Sequence, residues 1–300
     1  MSKRRSFFQG EYRTWLVWLA NLTAWAGLTW YHSSIPSWLL FLLGGLVVCW
    51  WGSFQHETIH GHPTSKRWLN NVLGYLPMGL IYPYPIYRDS HLEHHDIDHL
   101  THPDKDPESY YIFRTKWEEL PGIARALLLV NHTLVGRLTL GPLLVSGVFL
   151  VSEMQKLLKG EHRYLRTWQI HLLTSAAVLH WAVVVCKMPL LTYLTCFVYP
   201  GLSLTLLRSY LEHRPADCQA HRSCVVEGNF FSLLFLGVNY HYLHHRDPWL
   251  PWYELKSRYH SQKQEILEAN GNYHFDSYSE VFKRHAVEAK DSPVFPDPLR

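Results

Sequence analysis

The sequence predicts an all-α integral membrane protein: four transmembrane helices in two hairpins, with a histidine-rich helical cap on the cytoplasmic side. Three observations carry this. Four long apolar runs contain no Asp, Glu, Lys or Arg. Charged residues make up only 18% of the 300 residues, below the roughly 25% of an average soluble domain. The 21 histidines gather in the polar blocks between the apolar ones. The mean hydropathy of −0.13 averages over this alternation and hides it.

A helix needs about 20 apolar residues to cross the hydrocarbon core. Runs at about 14–30 and 35–52 supply the first pair, parted only by a short break before Pro36. Lys3, Arg4 and Arg5 precede them and hold the N-terminus in the cytoplasm by the positive-inside rule. Ala24-Trp25-Ala26 offers a signal-peptidase pattern, but the Trp-rich run and the second apolar run behind it favour an uncleaved anchor. Residues 72–87 carry Pro77, Pro83 and Pro85 and read as a broken or re-entrant segment. Residues 138–151, with 124–134 leading in, are too short to span easily and read as a helix at the membrane surface. Runs at about 168–186 and 188–207 form the second pair, turning near Lys187-Met188-Pro189. By parity the 53–166 region and everything after Arg208 are cytoplasmic, which agrees with the placement of Lys and Arg. Residues 1–255 then form the membrane domain. Residues 256–300, polar and carrying Pro293, Pro296 and Pro298, form a cytoplasmic tail packed on the cap.

Several classes are excluded. A net charge of +3 is too mild for a nucleic-acid binder. Five cysteines without a C-x-x-C pair make neither a disulfide scaffold nor a zinc ribbon. A hydrophobic content of 47% argues against disorder. No repeat or low-complexity tract is visible.

Three histidine boxes stand out: His56-Glu57-Thr58-Ile59-His60, His91-Leu92-Glu93-His94-His95 and His241-Tyr242-Leu243-His244-His245. Imidazoles at i, i+3 or i, i+4 share a helix face and can grip one metal. Adjacent histidines such as His94-His95 diverge by about 100°, so one can serve one ion and its neighbour a second. Eight imidazoles arranged this way suit two metals of the kind that imidazole prefers: iron, zinc, copper or nickel. His213, at the exit of the last span, is a ninth candidate. Carboxylates are expected to orient the rings; Glu57, Glu93, Asp96, Asp98 and Glu212 are candidates, with Asn239 as a further polar support. His62, His99 and His102 flank prolines and read as supporting or surface residues. His171 and His180 lie inside the third span and read as hydrogen-bonded polar groups.

HETIHG (His56–Gly61), HLEHH (His91–His95) and NYHYLHH (Asn239–His245) resemble, in order, the three boxes of the membrane fatty acid desaturase–hydroxylase superfamily. RSYLEHR (Arg208–Arg214) resembles that family's extra histidine element. The resemblance implies two irons that activate O2, with two external electrons, to oxidise an unactivated C–H bond of a lipid or amphiphile. It makes His56, His60, His91, His94, His95, His241, His244 and His245 ligands, with His213 beside them. The first expectation is a fatty acid (acyl-lipid) desaturase; the alternative is a hydroxylase or ketolase of the carotenoid-ketolase kind. Three residues, not four, separate the first two histidines, and Ser209 stands where acyl-CoA desaturases have Asn. Both departures point away from acyl-CoA enzymes, and RSYLEHR and NYHYLHH look ketolase-like. Neither a haem-binding His-Pro-Gly-Gly nor an iron–sulfur cysteine pattern is present. The expected electron source is therefore a separate ferredoxin, rubredoxin or cytochrome b5 type donor. The expected setting is a bacterial inner membrane, crossed several times, with both termini and the metal site cytoplasmic.

Two rivals come from other classes. His56–His60 is also H-E-x-x-H, the motif of a membrane zinc protease with Glu57 as general base, but that reading leaves two boxes without a purpose. A membrane metal carrier would string its histidines along the spans rather than beside them.

Overall fold

The structure is a computed structural model that describes residues 10–228 and 230–296. Lys3, Arg4, Arg5 and Pro298 lie outside the described residues. The chain is mostly helical. In order come α1 (Tyr12–Trp30), α2 (Ser37–Ile59), α3 (Arg67–Gly74), α4 (Tyr84–His95), α5 (Arg114–Glu119), α6 (Gly122–Asn131), α7 (Leu134–Thr139) and α8 (Gly141–Leu158). There follow α9 (Leu165–Leu179), α10 (Leu190–Tyr193), α11 (Tyr199–Glu212), α12 (Phe230–Leu234), α13 (His241–Arg246), α14 (Trp252–Ser261), α15 (Lys263–Ala269) and α16 (Tyr278–His285). Two short strands, β1 (Val225–Val226) and β2 (His274–Phe275), complete the list. The chain divides into two compact units, residues 10–89 with 142–205, and residues 90–141 with 206–296.

The first unit holds the apolar helices. Among the described residues three are long and apolar enough to cross a membrane: Ser37–Ile59, Leu165–Val185 and Leu190–Glu212. The second and third of these each contain a π-helical turn, at His180–Val185 and Leu194–Val198. The expected first span, α1, is helical but falls short of that hydropathy. Trp15, Trp18, Trp25 and Trp30 are amphipathic, and Asn21 and Arg13 are polar. The surface helix expected at 138–151 is longer than its apolar stretch and runs on to Leu158.

Two tight turns make hairpins. A single 3₁₀ turn, His32–Ser34, joins α1 to α2. Lys187, with a φ of 56°, sits in the turn before α10. Where no water is available, polar groups on such helices must find partners inside the protein. Asn21 Nδ2 donates to the Val47 carbonyl at 3.0 Å. Trp25 Nε1 donates to the Tyr193 hydroxyl at 3.2 Å, and that hydroxyl donates to the Met78 carbonyl at 2.9 Å. His171 gives its Nε2–H to the Leu80 carbonyl at 2.9 Å, a structural polar group rather than a ligand. Small residues on α2 let its neighbours approach, as in membrane helix pairs generally. A Cβ on Gly44 would meet the Cys196 carbonyl and the Phe197 ring, and one on Gly45 would meet Pro200. The histidine-bearing end of α2 is braced in turn. Gln55 Nε2 donates to the Gly74 carbonyl at 2.7 Å, and the Thr58 and Tyr84 hydroxyls bond at 2.9 Å.

The second unit adds one small strand pair to a mostly helical chain. β1 and β2 pair in parallel, Val225 with His274 and Val226 with Phe275. Strands of two residues carry no alternation for a sequence pattern to detect. They form because Val225 packs into a buried cluster with Tyr240, Leu243, Leu255, Tyr259 and Ile266. Two of its six members, Tyr259 and Ile266, come from the segment read as a tail, and the expected boundary at residue 255 falls inside α14.

Gly44→Val is expected to destabilise the protein by about 1–3 kcal/mol through overpacking against the Phe197 ring. Gly27→Ala, whose Cβ would meet nothing within 4 Å, should be neutral or slightly stabilising. Thermal unfolding in detergent compares the two; equal loss in both would show that close approach at Gly44 is not what matters.

Candidate metal centre

Each box occupies a helix end. His91, His94 and His95 close α4, and His241, His244 and His245 ride on the short helix α13. His56 lies on the last turn of α2 and His60 caps it, their ring centroids 4.7 Å apart, as i, i+4 spacing requires. Both are buried.

In the second unit the boxes interleave. His94, His213, His241 and His245 each offer a ligand nitrogen, all within 4.8 Å of one another. His91, His95 and His244 form a separate group on the same criterion. Each box thus gives its i, i+4 pair to one group and its remaining histidine to the other. The ring planes of adjacent His94 and His95 stand at 85°, and those of His244 and His245 at 78°. Neighbouring residues project about 100° apart around a helix, which sends His94 and His95 to different groups.

The geometry of the four-imidazole group fits a transition metal. His94 Nε2 and His213 Nε2 are 3.0 Å apart, and His241 Nε2 and His213 Nε2 are 2.9 Å apart. Two nitrogens about 2.1 Å from one ion and at right angles lie about 3.0 Å apart. His245 Nε2 is buried among them with no hydrogen-bond partner. The outer ring nitrogens are taken up elsewhere. His94 Nδ1–H donates to Asp106 at 2.7 Å, and His91 Nδ1–H donates to Glu108 at 3.0 Å. His213 Nδ1 faces the Arg222 carbonyl at 3.3 Å and the Ser223 hydroxyl at 3.2 Å. His241 Nδ1 lies 3.5 Å from Glu212, whose carboxylate pairs with Arg208 at 2.9 Å. With Nδ1 engaged, Nε2 is the nitrogen left to ligate. An all-imidazole set suits iron, zinc, copper or nickel and not magnesium or calcium.

Electrostatics agree for most of the rings. Burial, and then neighbouring imidazoles, push His213, His241 and His245 well below the usual histidine range, so they are neutral as a ligand must be. Burial likewise brings His95 down to about 2. For His94 burial is outweighed by Glu108 and Asp106, which hold it up at about 9.

The carboxylates beside the rings are not all those expected. Glu93, Asp96 and Asp98 are exposed. Glu93 is two residues past His91, about 200° around the helix, and faces the other way. Asp106 and Glu108 take that role from the following loop, a role no spacing rule assigns. Asp106 is itself fixed by the Thr101 and Glu108 amides, at 2.7 and 2.9 Å. Glu57 is buried on α2 with its carboxylate 3.9 Å from His56 Nδ1. Asn239 supports the site indirectly: its Nδ2 donates to the Val226 carbonyl at 2.6 Å and to Ser232 at 2.9 Å, tying β1 to the approach to α13. His62 is buried against Glu11 at 2.7 Å, and His102 Nδ1 accepts the Asp104 amide at 3.2 Å. His274, with no box around it, meets Glu227 at 2.9 Å and has Asp276 nearby. Lys263 on the same Glu227 carboxylate, at 2.6 Å, opposes a cation there.

Asp106→Asn is expected to weaken metal binding by about 10–100-fold, the usual effect of losing such a partner. Glu93→Gln should change nothing. Metal content after dialysis against graded chelator separates them, and a loss confined to Glu93→Gln would reverse the assignment.

The family model described as fatty acid desaturase matches residues 33–277, well over half of the chain, including all three boxes and His213. Comparison with curated proteins gives no match. That family implies an oxidoreductase, and the described residues carry histidine clusters and three apolar helices beside it. The chain belongs to the fatty acid desaturase family.

Proposed function

We propose that the protein is an O2-dependent diiron oxidoreductase that attacks an unactivated C–H bond of a lipid, in the first place as an acyl-lipid desaturase. The observation that carries this is the interleaving of boxes two and three into two imidazole groups. His94, His213, His241 and His245 would hold one iron. His91, His95 and His244, with His56 and His60 added from the motif order, would hold the other. Bound there, the two irons would supply the activation of O2, with two electrons from a ferredoxin, rubredoxin or cytochrome b5 type donor. The chain's own residues do the rest. Asp106 and Glu108 orient His94 and His91, and Glu212, held by Arg208, faces His241. Burial keeps water from the imidazoles and keeps most of them neutral.

A zinc protease is disfavoured because the four-imidazole group draws nothing from His56-Glu57-x-x-His60. Hydroxylation or ketolation is the second reading, favoured by the Arg208–Arg214 and Asn239–His245 strings. In the membrane we take α1 as a fourth span. Its 19 residues reach about 28 Å, close to the core thickness of about 30 Å. Its tryptophans suit the interface. Residues 1–255 then form the membrane domain, with the boxes and both termini cytoplasmic.

Anaerobically purified protein should contain about two irons per chain; a single zinc without iron would refute the reading. Mass spectrometry of lipids from expressing cells should reveal a product with an added double bond, or an added oxygen for the second reading. His94→Ala should abolish that product, and His213→Ala should give clearly less iron and no product. Full iron with only a modest drop in rate would move His213 out of the ligand set.

A further inference from the structure

Three of the four imidazoles in the His94 group ride on helices, whereas His213 stands one residue past the end of α11. Its backbone is held on one side by an antiparallel bridge to Ser223. On the other side its carbonyl accepts a hydrogen bond from Lys290 Nζ at 2.5 Å. Lys290 lies 77 positions further along the chain and beyond the end of the family match at residue 277. Its side chain is only 5% exposed, for a group that ordinarily seeks water.

The segment around Lys290 is laid against the unit by backbone bonds. The Val135 amide donates to Ala286, the Lys290 amide to His132, and the Ile112 amide to Pro293, at 2.9, 3.0 and 3.0 Å. The Lys290 ammonium also donates to the Tyr110 hydroxyl at 2.9 Å, and that hydroxyl donates to the Tyr210 carbonyl at 3.2 Å. Asp291 accepts from Tyr111 at 2.5 Å and from His132 at 3.0 Å, and stands 3.4 Å from the ammonium. Tyr110 and Tyr111 belong to the same loop as Asp106 and Glu108. The segment therefore grips both the loop that orients His94 and His91 and the peptide that carries His213.

We propose that Lys290 is a positioning residue for the metal group that contains His213, with residues 286–295 as the strap that delivers it. The inference rests on the diiron reading above. A buried cation bonded to one carbonyl fixes that peptide, and with it the imidazole that must meet His94 and His241 at about 3 Å. Removing the ammonium leaves the carbonyl buried without its donor and lets His213 drift, while His91, His95 and His244 keep their own supports.

The test is titration of metal-free protein in detergent with Co(II) alone, followed by visible absorbance and by equilibrium dialysis. Wild type should take up two tight equivalents. Lys290→Met should keep one and weaken the other by about 10–100-fold. Lys290→Arg, which retains charge and donors, should restore the second equivalent, and Val287→Ala, at an exposed side chain of the same segment, should leave both in place. If Lys290→Met does not purify, Lys290→Gln serves for the same comparison. Two tight equivalents in the Lys290 variant would overturn the proposal. Equal weakening of both equivalents, as from general loss of fold, would overturn it too. A wild type that binds no cobalt would instead sink the metal reading, and this inference with it.

Discussion

Four converging imidazoles, three of them buried and His245 half-buried, are the constraint on which the second unit depends. A buried polar nitrogen costs roughly 1–3 kcal/mol if it is left without a partner. Each ring has one nitrogen committed to the centre, so the protein must satisfy the other from outside. Asp106 meets that need for His94, and Ser223 and the Arg222 carbonyl meet it for His213, while Glu212 stands 3.5 Å from His241 Nδ1. Asp106 is pinned by two amides of its own loop, and Glu212 by Arg208. Support thus radiates from the rings into loops that otherwise look featureless.

The apolar unit answers a different demand. Its long helices have little polar chemistry to spend, so close contact depends on glycines and on a few indole and hydroxyl bonds. Gly44, Gly45 and Gly201 are the points at which α2 and the segment around Cys196 to Pro200 come together. Trp25, Tyr193 and Met78 form a short relay of hydrogen bonds across three elements. This bracing extends to the last turns of α2, where His56 and His60 stand.

Much of this was legible in the sequence, for stated reasons. Uncharged runs give apolar helices directly, and i, i+4 spacing gives histidine pairs, because both are local properties of a single helix. The splitting of His94 from His95 and of His244 from His245 follows from the same rotation. The supports were less legible. Glu93 and Asp96 were near in sequence and on the wrong face, which helical phase alone could have revealed for Glu93. Asp106 and Glu108 depend on the path of a loop with two prolines, and Lys290 on a chain return of more than seventy residues; no local pattern encodes either. The two-residue strands are too short to have a period, and the tryptophans of α1 blur a hydropathy count while suiting an interface.

The interleaving of boxes two and three bears on how this chain can vary over evolutionary time. Each short helix serves both imidazole groups at once, so neither group can be altered without the other. A one-residue insertion within α13 would rotate the following histidines by about 100° and disrupt both groups in a single event. Loops that carry none of the supporting residues can lengthen or shorten at modest entropic expense. These two helices cannot. Their length is frozen by the geometry they share, and substitution, not insertion or deletion, is the only change open to them.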